Sequence, residues 1–460
     1  MSLLIRRIYF FTFDCLRADH LSVYGGKTNT RFFDRLAHDG VVVRKFFSGG
    51  GTTFSAFPTM FLSRYFFFMN SIRPDPFTPT LAEIIARSGF YNIGVSSNMF
   101  VSEFFGWNRG FHLFFDEQKI RKKRLLIASK SGFRHMIIRK FKRLMSITKA
   151  TLDVLFLLKK IKIAAAKKLP LPYMSADEIL LFLEKKVIPL LKRKEKTFLW
   201  VHFMDNHYPF FSDIWKKHFD SLDEYVAFLT KIYFKRPKKV SCDELKFVRL
   251  SYKKSVMFID NMLGRLIEIL DENNLLEDSL IILTADHGEE LLEHGKFGHW
   301  HQHLYNEIIR VPLIIAGDYI NTDRIPSATR YSFSTLDIPP TILDLLGLKK
   351  PKKYLGKSIM RCDCERPIFS NVAKVDYRFK IRYQFFSVSV VLWPWKLISS
   401  PRGIELYNIE KDPQERKNLF LSHVELTKEL FKLIVSHIKS SRLYRKKLRI
   451  LRRYYQRAVS

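Results

Sequence analysis

Cysteine is scarce in this chain, with four residues in 460 (Cys15, Cys242, Cys362 and Cys364) and no CxxC pair. That excludes a disulfide framework and the usual zinc-ribbon spacings, and Cys362-Asp363-Cys364 reads as a loop carrying free thiols. No uncharged apolar run reaches the roughly 18 residues that a spanning helix needs, so no transmembrane segment is expected. The first residues lead directly into a strand, without the apolar core and small-residue cleavage site of a signal peptide. Together with the low cysteine content this makes the cytoplasm the expected location, with attachment at a membrane surface left open. Internal repeats are lacking, and so are zinc-finger, helix-turn-helix and aromatic ribonucleoprotein motifs. Nucleic acid is therefore not the expected partner.

Acidic residues are also short, 45 against 78 Lys and Arg, for a formal net charge of +33. The excess is grouped. Between Lys119 and Lys168 there are 17 cations and one acid, Asp153, and from Lys439 to Arg457 nine cations and no acid. Grouped positive charge suits an anionic lipid surface or acidic polymer; solvated helical faces or adaptation to heat would give the same pattern. In the first stretch Leu125, Leu126, Ile127, Met136, Ile137, Ile138, Phe141, Leu144 and Met145 recur at roughly helical spacing. Such a basic amphipathic helix either lies in an anionic membrane interface, where its binding is salt-sensitive, or packs on the protein body.

What the chain has is apolar mass, 47% of residues with 42 Phe, enough for a large core. Strands recur, and several stop at ligand-type residues. Ile8–Phe13 ends at Asp14, Thr197–Phe203 ends at Met204-Asp205-Asn206-His207, and Leu280-Ile281-Ile282-Leu283 runs through Thr284-Ala285 into Asp286-His287-Gly288-Glu289-Glu290. Open α/β sheets hold ligands at the carboxyl ends of strands, and an adjacent carboxylate and imidazole suit a metal ion. Each residue alone reads equally as a cap or a solvated side chain, and His202, inside its strand, as a packed residue. Gly49-Gly50-Gly51-Thr52-Thr53 forms a flexible loop opening onto a helix, a place where a hydroxyl and backbone N–H groups can meet an anion.

Helices are expected at about Asn29–Gly40, Thr80–Ser88, Ser175–Leu191, Phe247–Asn273 and Leu336–Leu346, and strands at Val41–Val43, Tyr91–Val95 and Val311–Ala316. A glycine-punctuated loop carries His294, His299, His301 and His303. After Pro367 the runs shorten to Phe385–Leu392, Lys396–Ser399 and Ile404–Tyr407, a small antiparallel sheet, and the tail from Glu425 is helical. The expected fold is α/β, a large mixed sheet sandwiched by helices. Its expected organisation is a catalytic unit at 1–365 with a basic helical insertion at about 117–170, a small antiparallel subdomain at 366–420 and a basic C-terminal helix at 421–460.

In their order these motifs resemble the sulfatase-like branch of the alkaline phosphatase superfamily. The matching pieces are Asp14-Cys15-Leu16-Arg17-Ala18-Asp19-His20 with Tyr24-Gly25, the Thr53–Ser63 stretch, His202-Phe203-Met204-Asp205-Asn206-His207-Tyr208-Pro209 and Thr284-Ala285-Asp286-His287-Gly288-Glu289. They continue through Leu304-Tyr305-Asn306-Glu307, Arg310-Val311-Pro312-Leu313, Asp337-Ile338-Pro339-Pro340-Thr341 and Glu405-Leu406-Tyr407-Asn408. The resemblance implies Asp14, Asp286 and His287 as metal ligands together with Thr53, which falls where the family keeps its nucleophile. It implies that His207 and His299 contact the substrate, with His301 or His303 as replacements for His299.

Two departures qualify this. Ordinary sulfatases oxidise a Cys or Ser to formylglycine in a motif with an Arg four positions on; here the stretch is Thr53-Phe54-Ser55-Ala56-Phe57, and threonine cannot give that aldehyde. A threonine nucleophile instead resembles the phosphodiesterases and lipid-linked phosphoglycerol transferases of the superfamily. Calcium members carry a second acid where this chain has Cys15 and often an Asn where it has His287, so one divalent transition metal, Mn²⁺ or Zn²⁺, is expected. A second ion could use Asp205, His207 and His299. The expected function is thus a metal-dependent hydrolase or transferase acting on a small or lipid-linked anionic ester, phosphate before sulfate. The alternatives are a sulfatase that works without formylglycine and a non-catalytic protein that binds anionic lipid or polymer.

Overall fold

The structure is a computed structural model that describes residues 5–117, 119–120 and 173–459, apart from 236, 300–302, 319, 321–324, 326, 377–378 and 442–443. Its main sheet has seven strands: β1 (Arg7–Phe13), β2 (Val41–Val42), β3 (Tyr91–Ser96), β4 (Leu113–Asp116), β5 (Thr197–Phe203), β6 (Ser279–Ala285) and β7 (Leu313–Ala316). They lie in the order β2-β7-β6-β1-β5-β3-β4. All pairings are parallel except those of β7, which runs against β6 and β2, so the sheet is mixed, as expected. The helices that support the site are α1 (Arg31–His38), α2 (Thr53–Leu62), α3 (Ala176–Phe182), α4 (Cys242–Glu272), α5 (Ile338–Leu345), α6 (Val424–Lys439) and α7 (Tyr444–Val459).

β1, β5 and β6 are buried along nearly their whole length, which is why they read as apolar runs and not as alternation. Successive strand residues point to opposite faces. Ile281 and Ala316 line a cavity of about 470 Å³ with Phe32 and Leu36 of α1 and Gly264 and Ile267 of α4. Ile282, Leu313 and Ile315 meet Ile338 and Ile342 of α5 on the other face. There Phe61 of α2 reaches Phe10, ring centroids 5.8 Å apart, and Phe57 reaches Trp200 at the same separation.

Several elements differ from expectation for local reasons. The helix expected over Ser175–Leu191 holds a π-helical turn at Leu183–Val187, next to Pro189, which has no N–H to donate to the preceding turn. α4 starts at Cys242 and not near Phe247, because Ser241 and Glu244 form a capping box in which each backbone N–H donates to the other's side chain, at 2.8 and 3.1 Å. The helix Leu222–Tyr233 is not expected from the sequence pattern.

The C-terminal sheet is antiparallel, as expected, with strands β8 (Ile368–Val375), β9 (Ile381–Leu392), β10 (Trp395–Ser400) and β11 (Gly403–Asn408) in that order. Ile368–Val375 adds a strand that the sequence pattern does not mark. The tail forms two helices, α6 and α7, which pack on this sheet. In α7, Leu451 and Tyr454 are buried while Lys446, Arg449, Arg452 and Arg453 are exposed. Beyond Ile120 the basic stretch Lys119–Lys168, with the amphipathic helix expected there, lies outside the described residues. Among the described residues no helix is long and apolar enough to cross a membrane.

Candidate active site

The carboxyl ends of β1, β3, β5 and β6 share one edge of the sheet, and the chain just past them supplies Asp14, Asn98, Asp205 and Asp286. Beneath this edge the parallel register sets Thr12 beside both His202 and Thr284, and His202 beside Ser96. A buried polar layer therefore closes the apolar core. Within it Trp200 Nε1 donates to Thr12 Oγ1 (3.0 Å), the Thr12 hydroxyl meets His202 Nδ1 (2.8 Å), and His202 Nε2 faces Asp14 Oδ2 (3.3 Å). With Thr12 donating to Nδ1, the proton of His202 is on Nε2, directed at the carboxylate. His202 is thus packed inside, as its sequence context suggests, and also tied to Asp14. Phe57, standing where formylglycine motifs carry Arg, presents its ring to His202 at 5.1 Å and closes this pocket.

Thr53 is the first residue of α2, and Thr52 caps the helix in a capping box with Ser55, whose Oγ accepts the Thr52 N–H at 3.1 Å. Gly50 makes the approach possible, since a Cβ there would stand 2.3 Å from the Ser55 carbonyl carbon. The turn brings Thr53 Oγ1 to 3.4 Å from Asp14 Oδ2 and 3.3 Å from His287 Nε2. Asp286 Oδ1 accepts the His287 backbone N–H at 2.7 Å. Asp286 Oδ2 is buried without a hydrogen-bond partner and lies 3.4 Å from His287 Nε2. His287 Nδ1 is 2.9 Å from the Gly288 carbonyl, so the proton belongs there and Nε2 is left bare, facing Thr53 and both carboxylates.

Electrostatics separates the two acids. Burial opposes ionisation of Asp14, but the hydrogen bond from His202, followed by the electrostatic effect of His207, holds its carboxyl well below the ordinary range. Burial and then the Asp14 charge push Asp286 well above that range. Burial, followed by repulsion from His299, drives His287 down to about 3. Two buried carboxylates against one another, an orphaned carboxylate oxygen and an unprotonated imidazole nitrogen form a donor set that lacks a countercharge. These residues fit a divalent metal ion, which would be held by Asp14, Asp286 and His287 with Thr53 beside it.

His207 and His299 stand at the same place, ring centroids 5.2 Å apart, and His299 is 4.3 Å from His287. His207 Nδ1 is 2.6 Å from the Tyr208 carbonyl. Burial would lower the pKa of His299, but Glu289, whose Oε2 is 3.3 Å from Nδ1, raises it. Asp205 does not join this group: its Oδ1 accepts the Ala176 N–H at the start of α3 (3.0 Å), and it is in none of the three ligand clusters among the described residues. The strand end that carries it turns the side chain toward a helix terminus. His303 is engaged elsewhere, by Glu290 and, at 3.3 Å, by Arg402; His301 lies outside the described residues. Residues that the sequence reading did not single out are Asn98, whose Nδ2 is 2.8 Å from Asp14 Oδ2 and 3.5 Å from Thr53 Oγ1, and Glu289. The strand-end rule that marks Asp14 marks Asn98 equally.

The family model Sulfatase matches residues 8–348, and the model N-sulphoglucosamine sulphohydrolase, C-terminal, matches 293–441. Arylsulfatase K of Rattus norvegicus is 28% identical over 210 residues, 42% of this chain and 35% of that protein. The multifunctional alkaline phosphatase superfamily protein PehA of Trinickia caryophylli is 34% identical over 148 residues, 31% of this chain and 26% of that protein. The match thus spans well under half the length of either relative. Among solved structures, the phosphonate monoester hydrolase of Agrobacterium radiobacter superposes with a TM-score of 0.69 at 18% identity, covering 94% of this chain and 95% of that one. A 2-O GAG sulfatase superposes at 0.66 and 16% identity, covering 96% and 94%. With a family model matched over most of its length, this chain belongs to the sulfatase family.

Proposed function

We propose that the chain is a metal-dependent ester hydrolase that attacks an anionic ester with Thr53, phosphate or phosphonate esters being preferred to sulfate esters. The observation that supports this most is the setting of Thr53 Oγ1, buried at the start of α2 and within 3.4 Å of both Asp14 Oδ2 and His287 Nε2. A bound divalent ion would favour the alkoxide and offset charge on the nonbridging oxygens. Thr53 Oγ1 loses its proton to solvent, attacks the phosphorus atom in line and forms a threonine ester as the bond to the leaving oxygen breaks. His299, kept protonated by Glu289, returns a proton to that oxygen, and His207 stands beside it. Asn98 Nδ2 is a further donor for the developing oxyanion. Water then hydrolyses the threonine ester and frees the nucleophile; an acceptor alcohol in its place would make the reaction a transfer.

The preference follows from the nucleophile. Threonine cannot carry the aldehyde hydrate through which formylglycine enzymes expel sulfate, so its ester must be cleaved by external attack at the central atom. Imidazole ligation by His287 favours a transition metal, Mn²⁺ or Zn²⁺, over Ca²⁺. With Asp205 directed at α3, one ion accounts for the donors. A sulfatase reading is favoured by the 28% identity to arylsulfatase K and by the sulphohydrolase C-terminal model.

The test compares aryl phosphate monoester, phosphate diester, phosphonate monoester and sulfate as substrates for chelated and metal-restored protein, with Thr53→Ala as control. Metal-dependent turnover of a phosphorus ester that vanishes in Thr53→Ala is the expected result. Faster turnover of the sulfate would favour the sulfatase reading, and no turnover of any ester would leave anion binding as the function.

A further inference from the structure

Cys15 follows Asp14 directly, and its backbone lies in the left-handed region at φ 61°. That conformation is strained for a residue with a side chain. Two hydrogen bonds hold it: Cys15 N–H to Asp286 Oδ1 at 3.4 Å, and the Tyr252 hydroxyl to the Cys15 carbonyl at 2.6 Å. Their effect is to turn the thiol inward. Fully buried, Sγ is 3.0 Å from Asp14 Oδ1, 3.6 Å from His299 Nδ1 and 3.8 Å from His287 Nδ1. It belongs to two of the three clusters whose ligand atoms all lie within 4.8 Å of one another, one with His287 and His299 and one with Asp14 and His207. A cysteine that only filled core space would sit among apolar side chains; this one is ringed by a carboxylate and imidazoles. The fully buried, unpartnered Asp286 Oδ2 beside His287 is an independent sign that a cation belongs here.

We propose that Cys15 Sγ is a ligand of the metal ion, so that the centre is a mixed thiolate, imidazole and carboxylate site that selects a thiophilic transition metal of the Zn²⁺ class over Mn²⁺, Mg²⁺ or Ca²⁺. The inference rests on the metal-dependent reading above and narrows its choice of ion. As the sulfur–metal bond forms the S–H bond is lost, and its proton passes to solvent. Sulfur is a soft donor that adds affinity for Zn²⁺, Co²⁺ and Cd²⁺ and little for hard cations.

Cobalt reports the ligand directly. Chelated full-length protein titrated with Co²⁺ is expected to develop a thiolate-to-cobalt charge-transfer band in the near ultraviolet. The band should vanish in Cys15→Ser and persist in the triple variant Cys242→Ser, Cys362→Ser, Cys364→Ser, in which Cys15 is the sole thiol. In competition, the preference for Zn²⁺ over Mn²⁺ should fall at least roughly tenfold in Cys15→Ser, the lower end of what losing even an outer partner of a ligand costs. Cobalt bound with its visible ligand-field bands but no charge-transfer band in the triple variant would overturn the role of Cys15 and leave the metal centre standing. Failure of wild-type protein to bind cobalt in equilibrium dialysis would overturn both. Since the triple variant keeps Cys15, it decides the matter even if Cys15→Ser does not fold.

Discussion

Asp14 is the side chain on which most of the site converges: Thr53, Asn98, His202 and the Cys15 thiol all contact its carboxylate. The hydrogen bond from His202 is supported in turn by Thr12 and Trp200, so the orientation of Asp14 is set three residues deep in the core. Partners of this kind orient ligands, and their loss typically lowers metal affinity roughly 10–100-fold. His202→Leu, which fits an apolar pocket but offers no N–H, is expected to weaken binding of Zn²⁺ or Co²⁺ by that factor. Calorimetric titration of chelated protein measures it, with circular dichroism to show that the fold is kept; an unchanged affinity would mean that His202 only fills space.

The strand and helix termini carry the site, and their support extends to the C-terminal helices. On α6, His437 is buried, stacked on Phe369 at 4.1 Å with the rings 6° from parallel, and its Nε2 accepts the Asn371 Nδ2–H at 3.2 Å. A ring that accepts there is neutral. Burial, and then the charge of Lys447, hold its pKa down to about 3 against an ordinary 6.5. A folded-state pKa below the unfolded one means that the unfolded chain binds the proton more readily. The contribution is therefore intact above pH 6.5 and is lost as pH falls from 6.5 toward 3. Urea denaturation at pH 7.5 and pH 5 is expected to show a loss of stability that is smaller in His437→Gln, whose amide does not titrate; equal slopes in both proteins would contradict this.

The C-terminal sheet is joined to the short helix Asn306–Ile309 by a buried cluster. Lys396 Nζ on β10 is 2.8 Å from Glu415 Oε1 and 3.1 Å from Asn306 Oδ1, and Glu415 in turn accepts the Asn306 backbone N–H. Both charged groups are fully buried, so removing one strands the other. Breaking such a pair usually costs about 3–5 kcal/mol, and Lys396→Met is expected to destabilise the protein by that amount in equilibrium denaturation. Asn306 lies just after the histidine loop and just before Arg310, whose carbonyl accepts the Ala18 N–H at 3.2 Å. Loss of ester turnover should accordingly appear at lower urea in Lys396→Met than in the wild type. A change below about 1 kcal/mol, the range of exposed pairs, would show that the cluster does not hold this junction together.

By itself the sequence determined what local chemistry can: apolar runs that must be buried strands, the carboxylates that end them, the glycine turn before Thr53 and the antiparallel pattern past Pro367. Each depends on a few adjacent residues and survives without knowledge of the rest. The order of these motifs was enough to recognise the family, because order is itself a property of sequence. Beyond what the family resemblance implied, tertiary structure decided which strand ends converge. Asp14, Asn98, His202 and Asp286 meet because parallel register aligns β1, β3, β5 and β6, and nothing near any one of them encodes the other three. The same holds for the inward turn of Cys15, set by Tyr252 and Asp286 far along the chain, and for Asp205, which the start of α3 draws away from the site. Convergence is a long-range property of packing, so the chemistry of single strand ends was legible in their own residues, whereas their assembly into one centre was legible only through the resemblance of the motif order to a known family.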